Sequence, residues 1–117
     1  MTPAPVKPLV TPHDLDKLDI RVGTIRGVSE VPGSRKLLKL QVDFGDHARQ
    51  ILAGLKAERP DAEQLIGLQS LFVVNLAPRQ MAGEVSEGML FDLGYADGLT
   101  PVFAMPERPV PPGTRAG

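Results

Sequence analysis

A chain of 117 residues is close to the size of one domain and too short for two ordinary ones. Its 42% hydrophobic and 23% charged residues suit a globular core, and with no cysteine it carries no disulfide framework, thiolate metal site or cysteine nucleophile. The net charge of -1 hides a split: residues 17–59 hold nine Lys/Arg against five Asp/Glu, and residues 60–117 hold three against seven.

Four prolines in the first twelve residues and five in the last seventeen make both ends read as extended segments. They also interrupt the apolar run that a signal peptide requires, and no stretch approaches the roughly 20 apolar residues of a membrane span. A cytoplasmic protein with no membrane partner is expected.

"LDIRVGTIRGV" predicts a bent, bulged strand, with Ile20 and Val22 on one face, Arg21 on the other, and a change of phase at Gly23 that turns Ile25 and Val28 inward. "LLKLQVDFG" alternates strictly: Leu38, Leu40, Val42 and Phe44 share one face, Lys39, Gln41 and Asp43 the other. "GDHA" turns the chain, and "RQILAGL" returns as a third strand. "RPDAEQLIG" reads as the one helix, with Pro60 near its first turn and Gly67 at its stop. "QSLFVVNL" and "GMLFDLGY" supply two more strands, and "LTPVFAMP" a short apolar one.

Three strands, a short helix and two strands are the order of an all-β OB-fold, a five-stranded barrel whose helix plugs one end. An SH3-like barrel normally lacks that helix. Apolar residues on both faces of "LFVV" imply a second covered surface, against either another subunit or the terminal segments. The expected division is a Pro-rich segment over 1–14, the barrel domain with its C-terminal extension over 15–114, and a tail over 115–117.

Catalytic patterns are missing from the sequence. Ser86 in "GEVSEG" does not form the G-x-S-x-G elbow, His13 and His47 fall in a lead-in and a hairpin turn, and "GSRK" lacks P-loop spacing. No zinc or calcium ligand pattern appears. Neither an enzyme nor a metal or other cofactor is expected.

The stretches "LDIRVGTI", "RKLLKLQVDFG", "RQILAGL", "EQLIG", "VVNLAPRQMAG", "SEGML" and "PVPPGT" follow one another in order. Together they resemble the tRNA-binding domain family, which occurs as free-standing dimers, as the C-terminal appendix of methionyl-tRNA synthetases, and in secretion-chaperone-like proteins. The resemblance covers about Leu15 to Thr114. It implies an OB-fold homodimer that binds the outer corner of folded tRNA by shape, with an aminoacyl-tRNA synthetase or a polypeptide client as further partners. The family's functional positions fall on Lys36 in the first turn, on Asn75, Pro78, Arg79, Gln80 and Met81, and on Ser86, Glu87, Gly88 and Met89. Many relatives have His-Pro then Asp-Lys in the first turn, where this chain has Val31, Pro32, Arg35 and Lys36. The common Arg-Lys pair is Arg79 with Gln80.

Chemistry of the residues points to the same region. Arg79 is the only Lys/Arg between Pro60 and Glu107, and a guanidinium on a loop leaving a rigid strand can meet phosphate in fork geometry. An ion pair with Glu84 or Glu87 is its structural alternative. Lys36 and Lys39 extend a phosphate-tracking face, and Asn75 and Ser86 offer hydrogen-bonding groups, each with a local structural alternative. Glu87 is expected to orient Arg79 or a loop amide. Met89 opens an alternation with Phe91 and Leu93, compatible with core packing or RNA contact. Phe44, Phe72 and Phe91 lie in apolar strand patterns, leaving Tyr95 as the free ring, so shape recognition of folded RNA fits better than base stacking. A chaperone that binds unfolded polypeptide through the surface around "PVFAMP" is the alternative function.

Overall fold

The computed structural model describes residues 3–57 and 59–117. One turn of helix, α1 (Pro12–Leu15), precedes β1 (Ile20–Glu30), β2 (Leu38–Asp43) and β3 (Ala48–Ala53). A 3-10 turn (Ala62–Leu65) leads into β4 (Gln69–Val73). Short strands follow: β5 (Arg79–Met81), β6 (Glu84–Ser86), β7 (Met89–Leu90), β8 (Asp92–Leu93) and β9 (Val102–Phe103). Five of them form one antiparallel sheet in the order β3-β2-β1-β4-β7, curled into a nearly closed barrel of the expected OB type.

The alternation of β2 sets the interior. Leu38, Leu40, Val42 and Phe44 are buried there with Ile25, Ile51, Phe72 and Leu90, while Gln41 faces solvent. Gly23 also faces inward, and a Cβ on it would press against Val42 and lie 2.8 Å from the Phe44 ring. Glycine there lets β1 approach the packed rings, so the phase does not change at Gly23. The bulge lies instead at Arg26, between Ile25 and Gly27, where the register with β2 shifts. Ile20 and Val22 keep to the outer face, opposite Val73 and Leu71.

Two helical expectations are corrected. The stretch 59–67 forms only the four-residue 3-10 turn Ala62–Leu65, which buries Leu65 and is followed by Gly67 with φ +94. Conversely, the proline-rich lead-in contains α1, because Thr11 and Asp14 make a reciprocal capping box and Pro12 occupies a first-turn position that needs no N–H partner.

β2 pairs with β1 only from Thr24 onward. The C-terminal segment takes the vacated edge: Gly113 donates to the Val22 carbonyl at 2.7 Å, and Ala116 to that of Ile20 at 2.8 Å. On β4, Phe72 and Val74 enter the core and Leu71 and Val73 face out. The terminal region reaches β4 where Leu71 donates to the Ala104 carbonyl at 3.2 Å. No helix among the described residues is long and apolar enough to cross a membrane.

Candidate nucleic-acid interface

The turn between β1 and β2 is ordered by its own short side chains. Val31 is buried, Ser34 donates its N–H to the Val31 carbonyl, and the Ser34 hydroxyl accepts from Leu37 at 3.1 Å. Arg35 and Lys36 are left exposed at the turn's outer bend.

Between β4 and β7 the chain forms a hairpin where a plain loop was expected. β5 and β6 pair Arg79 with Ser86, Gln80 with Val85 and Met81 with Glu84, around the two-residue turn Ala82-Gly83. Both turn residues have positive φ, 51° and 81°, the geometry of a type I′ hairpin. The sequence signal was the pair Ala-Gly between two strand-like triplets, weakened by an alanine where Asn or Asp is usual. Arg79 and Gln80 are exposed on this ribbon.

The hairpin is tied to the barrel through Glu84. Its carboxylate accepts from Lys39 at 3.2 Å, and Gln50 donates to the Val85 carbonyl at 2.9 Å. Lys39 is thus not the free outward lysine that alternation suggested; it is largely covered and ion-paired. The contact brings the hairpin beside the start of β2, three residues after Lys36.

Ser86, expected either at RNA or bonded within its loop, and Glu87, expected to orient Arg79 or a loop amide, close the barrel. β3 and β7 are not joined by a regular ladder, and side chains supply the missing partners. Ser86 Oγ accepts from the Leu52 N–H at 3.0 Å and donates to the Gly88 carbonyl at 2.9 Å. Glu87 Oε1 accepts from the Gln50 N–H at 3.0 Å, and the Glu87 N–H donates back to the Gln50 carbonyl at 2.8 Å. Ser86 is 3% exposed, so its hydroxyl is spent inside the protein and cannot reach phosphate without opening the seam. Gly88 admits the close approach: a Cβ there would lie 3.1 Å from the Val73 carbonyl oxygen and 3.2 Å from Ile51. Arg49, which sequence reasoning passed over, pins the same seam by donating to the Val74 and Glu87 carbonyls. Its only signal was a cation at the head of an apolar strand.

Asn75 also has structural work. Its amide accepts from the Asp19 N–H at 2.8 Å and donates to the Lys17 carbonyl at 2.7 Å, anchoring the segment that enters β1. Met89 is half exposed on the barrel's outer surface with Phe91 and Leu93, while Leu90 points inward, so that alternation marks an outer face. Phe91 is therefore not a core ring, because it falls on the same outer face as Met89, opposite the inward Leu90. Phe44 and Phe72 do pack in the core, edge to face with centroids 5.7 Å apart.

Charge pairing sharpens the picture. Lys17, Arg21, Arg26, Lys39, Lys56, Arg108 and Arg115 are paired with carboxylates, and Arg49 and Arg59 donate to backbone carbonyls. The hydrogen bond from Arg21 holds the Asp19 carboxyl below its ordinary range, and the Gly45 N–H, aided by Arg26, does the same for Asp43. Among the described residues, the cations with neither kind of partner are Lys7, Arg35, Lys36 and Arg79. Three of these four occupy the β1–β2 turn and the hairpin, the two segments that flank the ligand face of an OB barrel. The acids nearest Arg79 in sequence, Glu84 and Glu87, are engaged elsewhere.

The family model of the tRNA binding domain matches residues 20–115. This chain belongs to the tRNA binding domain family. It is 47% identical over 110 residues to a methionine–tRNA ligase of Methanococcoides burtonii, an alignment covering 92% of this chain and 16% of the ligase. The chain thus spans about one sixth of that relative, whose ligase activity is named for the longer protein. Among solved structures, the MetRS related protein from Pyrococcus horikoshii matches with a TM-score of 0.84 and 32% identity, over 95% of this chain and all of that one. The chaperone CsaA from Bacillus anthracis matches with a TM-score of 0.81 and 31% identity, over 94% of this chain and all of that one. Both arms of the resemblance seen in the sequence, synthetase-related and chaperone-like, are therefore represented among its neighbours.

Proposed function

We propose that this tRNA binding domain holds folded tRNA by its phosphate backbone, as a cytoplasmic homodimer that assists translation. The observation that carries the reading is that Arg35, Lys36 and Arg79 are exposed and have no carboxylate partner among the described residues, on the two segments beside the β2–β3 face. Among the described residues, seven of the other ten Lys and Arg side chains are ion-paired with carboxylates and two more donate to backbone carbonyls. Such a cluster binds phosphate without reading bases, and affinity then falls with salt through counterion release. Gln80 lies beside Arg79 as a neutral donor, and Lys39 joins the cluster if phosphate displaces Glu84. Asn75, Ser86 and Glu87 support the site by holding its frame. A dimer presents two such clusters to one RNA and raises their effective concentration.

A second reading is favoured by one observation: Met89, Phe91, Leu93 and Met105 form exposed apolar surface, which an unfolded polypeptide would cover. One titration separates the two. Folded tRNA should bind more tightly than an unstructured RNA of equal length, with affinity falling steeply as salt rises, and unfolded polypeptide should not compete. Equal affinity for the two RNAs would contradict shape recognition, and salt-insensitive binding of the polypeptide in place of tRNA would establish the chaperone reading.

A further inference from the structure

The chain leaves the barrel after Val74 and returns to it at Glu87, with the hairpin of β5 and β6 between them. The ladder joining β4 to β7 covers only Phe72 with Leu90 and Val73 with Met89. Beyond it the two ends of the excursion part, and one side chain spans them. Arg49 Nη1 donates to the Val74 carbonyl and, at 3.1 Å, to the Glu87 carbonyl. That nitrogen carries two N–H groups, one for each acceptor.

Arg49 owes this place to β3. It stands opposite Val42 and two residues before the buried Ile51, so alternation directs its side chain to the barrel's inner face, at the end where β3 begins. Gln50, the next residue, grips the same return point by exchanging two bonds with Glu87. Among the described residues Arg49 has no carboxylate partner, and it is only half exposed. A partly covered charge with no counter-ion is costly to keep. Reaching two carbonyls from a neighbouring strand explains it, because that task needs a long stem and a rigid head with paired donors.

Arg79 is placed by the base of the hairpin and not by its turn. It pairs with Ser86, the pair nearest the barrel, and Ser86 directly precedes Glu87. On the outgoing side, Asn75 follows Val74 and ties that end to Lys17 and Asp19. Lys36 lies on the β1–β2 turn, to which Arg49 makes no hydrogen bond.

We propose that Arg49 is a positioning residue for tRNA: it fixes the base of the hairpin so that the Arg79 guanidinium meets phosphate, without touching RNA itself. The inference rests on the phosphate reading above and adds the residue that orients its main contact. A two-pronged guanidinium contact depends on geometry, so a shifted base weakens it even though the charge remains.

A double-mutant cycle tests this. Affinity for folded tRNA is measured across a salt series for wild type, Arg49→Met, Arg79→Ala and the double variant, at a temperature where thermal melts show each to be folded. Arg49→Met should weaken binding, by no more than Arg79→Ala does, and the double variant should match Arg79→Ala within about twofold. Lys36→Ala is the control: its loss and that of Arg49→Met should multiply, as they do for independent sites. Should Arg49→Met not fold, Arg49→Lys serves, keeping the charge on a shorter reach; its smaller loss should also vanish without Arg79. A folded Arg49 variant that binds like wild type, while Arg79→Ala binds weakly, overturns the positioning role alone. The same factor lost with and without Arg79 overturns it too, and a salt slope flattened by a further 0.7 or so in the double variant would make Arg49 a phosphate contact instead. If Arg79→Ala itself binds normally, the phosphate reading fails and the inference falls with it.

Discussion

Replacing Ser86 with alanine separates a structural role for the "SEG" stretch from a direct RNA contact. The hydroxyl is 3% exposed and makes two bonds, accepting from the Leu52 N–H and donating to the Gly88 carbonyl. Leu52 is itself buried, so its N–H would lose its partner with little access to water. An unsatisfied buried donor costs about 1–3 kcal/mol, and the weakened Gly88 acceptor adds to it, for a total of about 2–3 kcal/mol. A chain of this length has an unfolding entropy that converts each kcal/mol into about 4 °C, so the melting temperature should fall by about 8–12 °C. Differential scanning calorimetry measures that fall, and tRNA binding at a temperature where the variant remains folded should stay within about twofold of wild type. A variant with an unchanged melting temperature and lost tRNA binding would refute the seam assignment and restore Ser86 as an RNA contact.

Glu84→Gln should release Lys39 from its ion pair, raise tRNA affinity and steepen the slope of log affinity against log salt by about 0.7, in titrations at several salt concentrations. An unchanged slope would place Lys39 outside the RNA footprint. Ser70→Ala should be neutral or stabilising in thermal melts, because the Ser70 hydroxyl is fully buried with no partner among the described residues. The Asp19 carboxyl is depressed chiefly by its Arg21 hydrogen bond, so the stability it contributes is fully present above its unfolded pKa of about 3.9 and is lost as pH falls through its lower folded value. Asp19→Asn should therefore melt below wild type at pH 7, and the difference should shrink below pH 4; a gap that persists at low pH would mean the loss does not come from the charge.

The barrel was legible because its strongest signals are local. Strict alternation from Leu38 to Phe44 set the inner face of β2, and the order of strand patterns around a short helical stretch set the topology. Gly23 misled, because a glycine that makes room for packed rings looks like one that breaks a strand. Phe91 misled too: an apolar alternation does not reveal which of its faces meets the core, and here it is Leu90, between Met89 and Phe91, that turns inward. At the site, Arg79 and Lys36 could be found as cations at strand ends. The roles of Ser86, Asn75 and Arg49 could not, because each partners backbone groups 25 to 58 residues away, beyond any local pattern. Lys39 was misplaced for the same reason, since Glu84 lies 45 residues further along the chain.

The central claim is that free cations on two barrel segments hold tRNA by its phosphates, and Arg79 tests it most directly. Binding of tRNA to wild type, Arg79→Ala and Arg79→Lys should be measured across a salt series, beside thermal melts of each. Arg79 is exposed and makes no ion pair among the described residues, so the melts should coincide. Loss of a charge-assisted contact worth about 1.5–3 kcal/mol should weaken binding by Arg79→Ala about ten- to a hundred-fold, and the salt slope should flatten by about 0.7. Arg79→Lys should recover only part, keeping the charge without the planar fork. An Arg79→Ala protein that binds tRNA with wild-type affinity and slope would contradict the account.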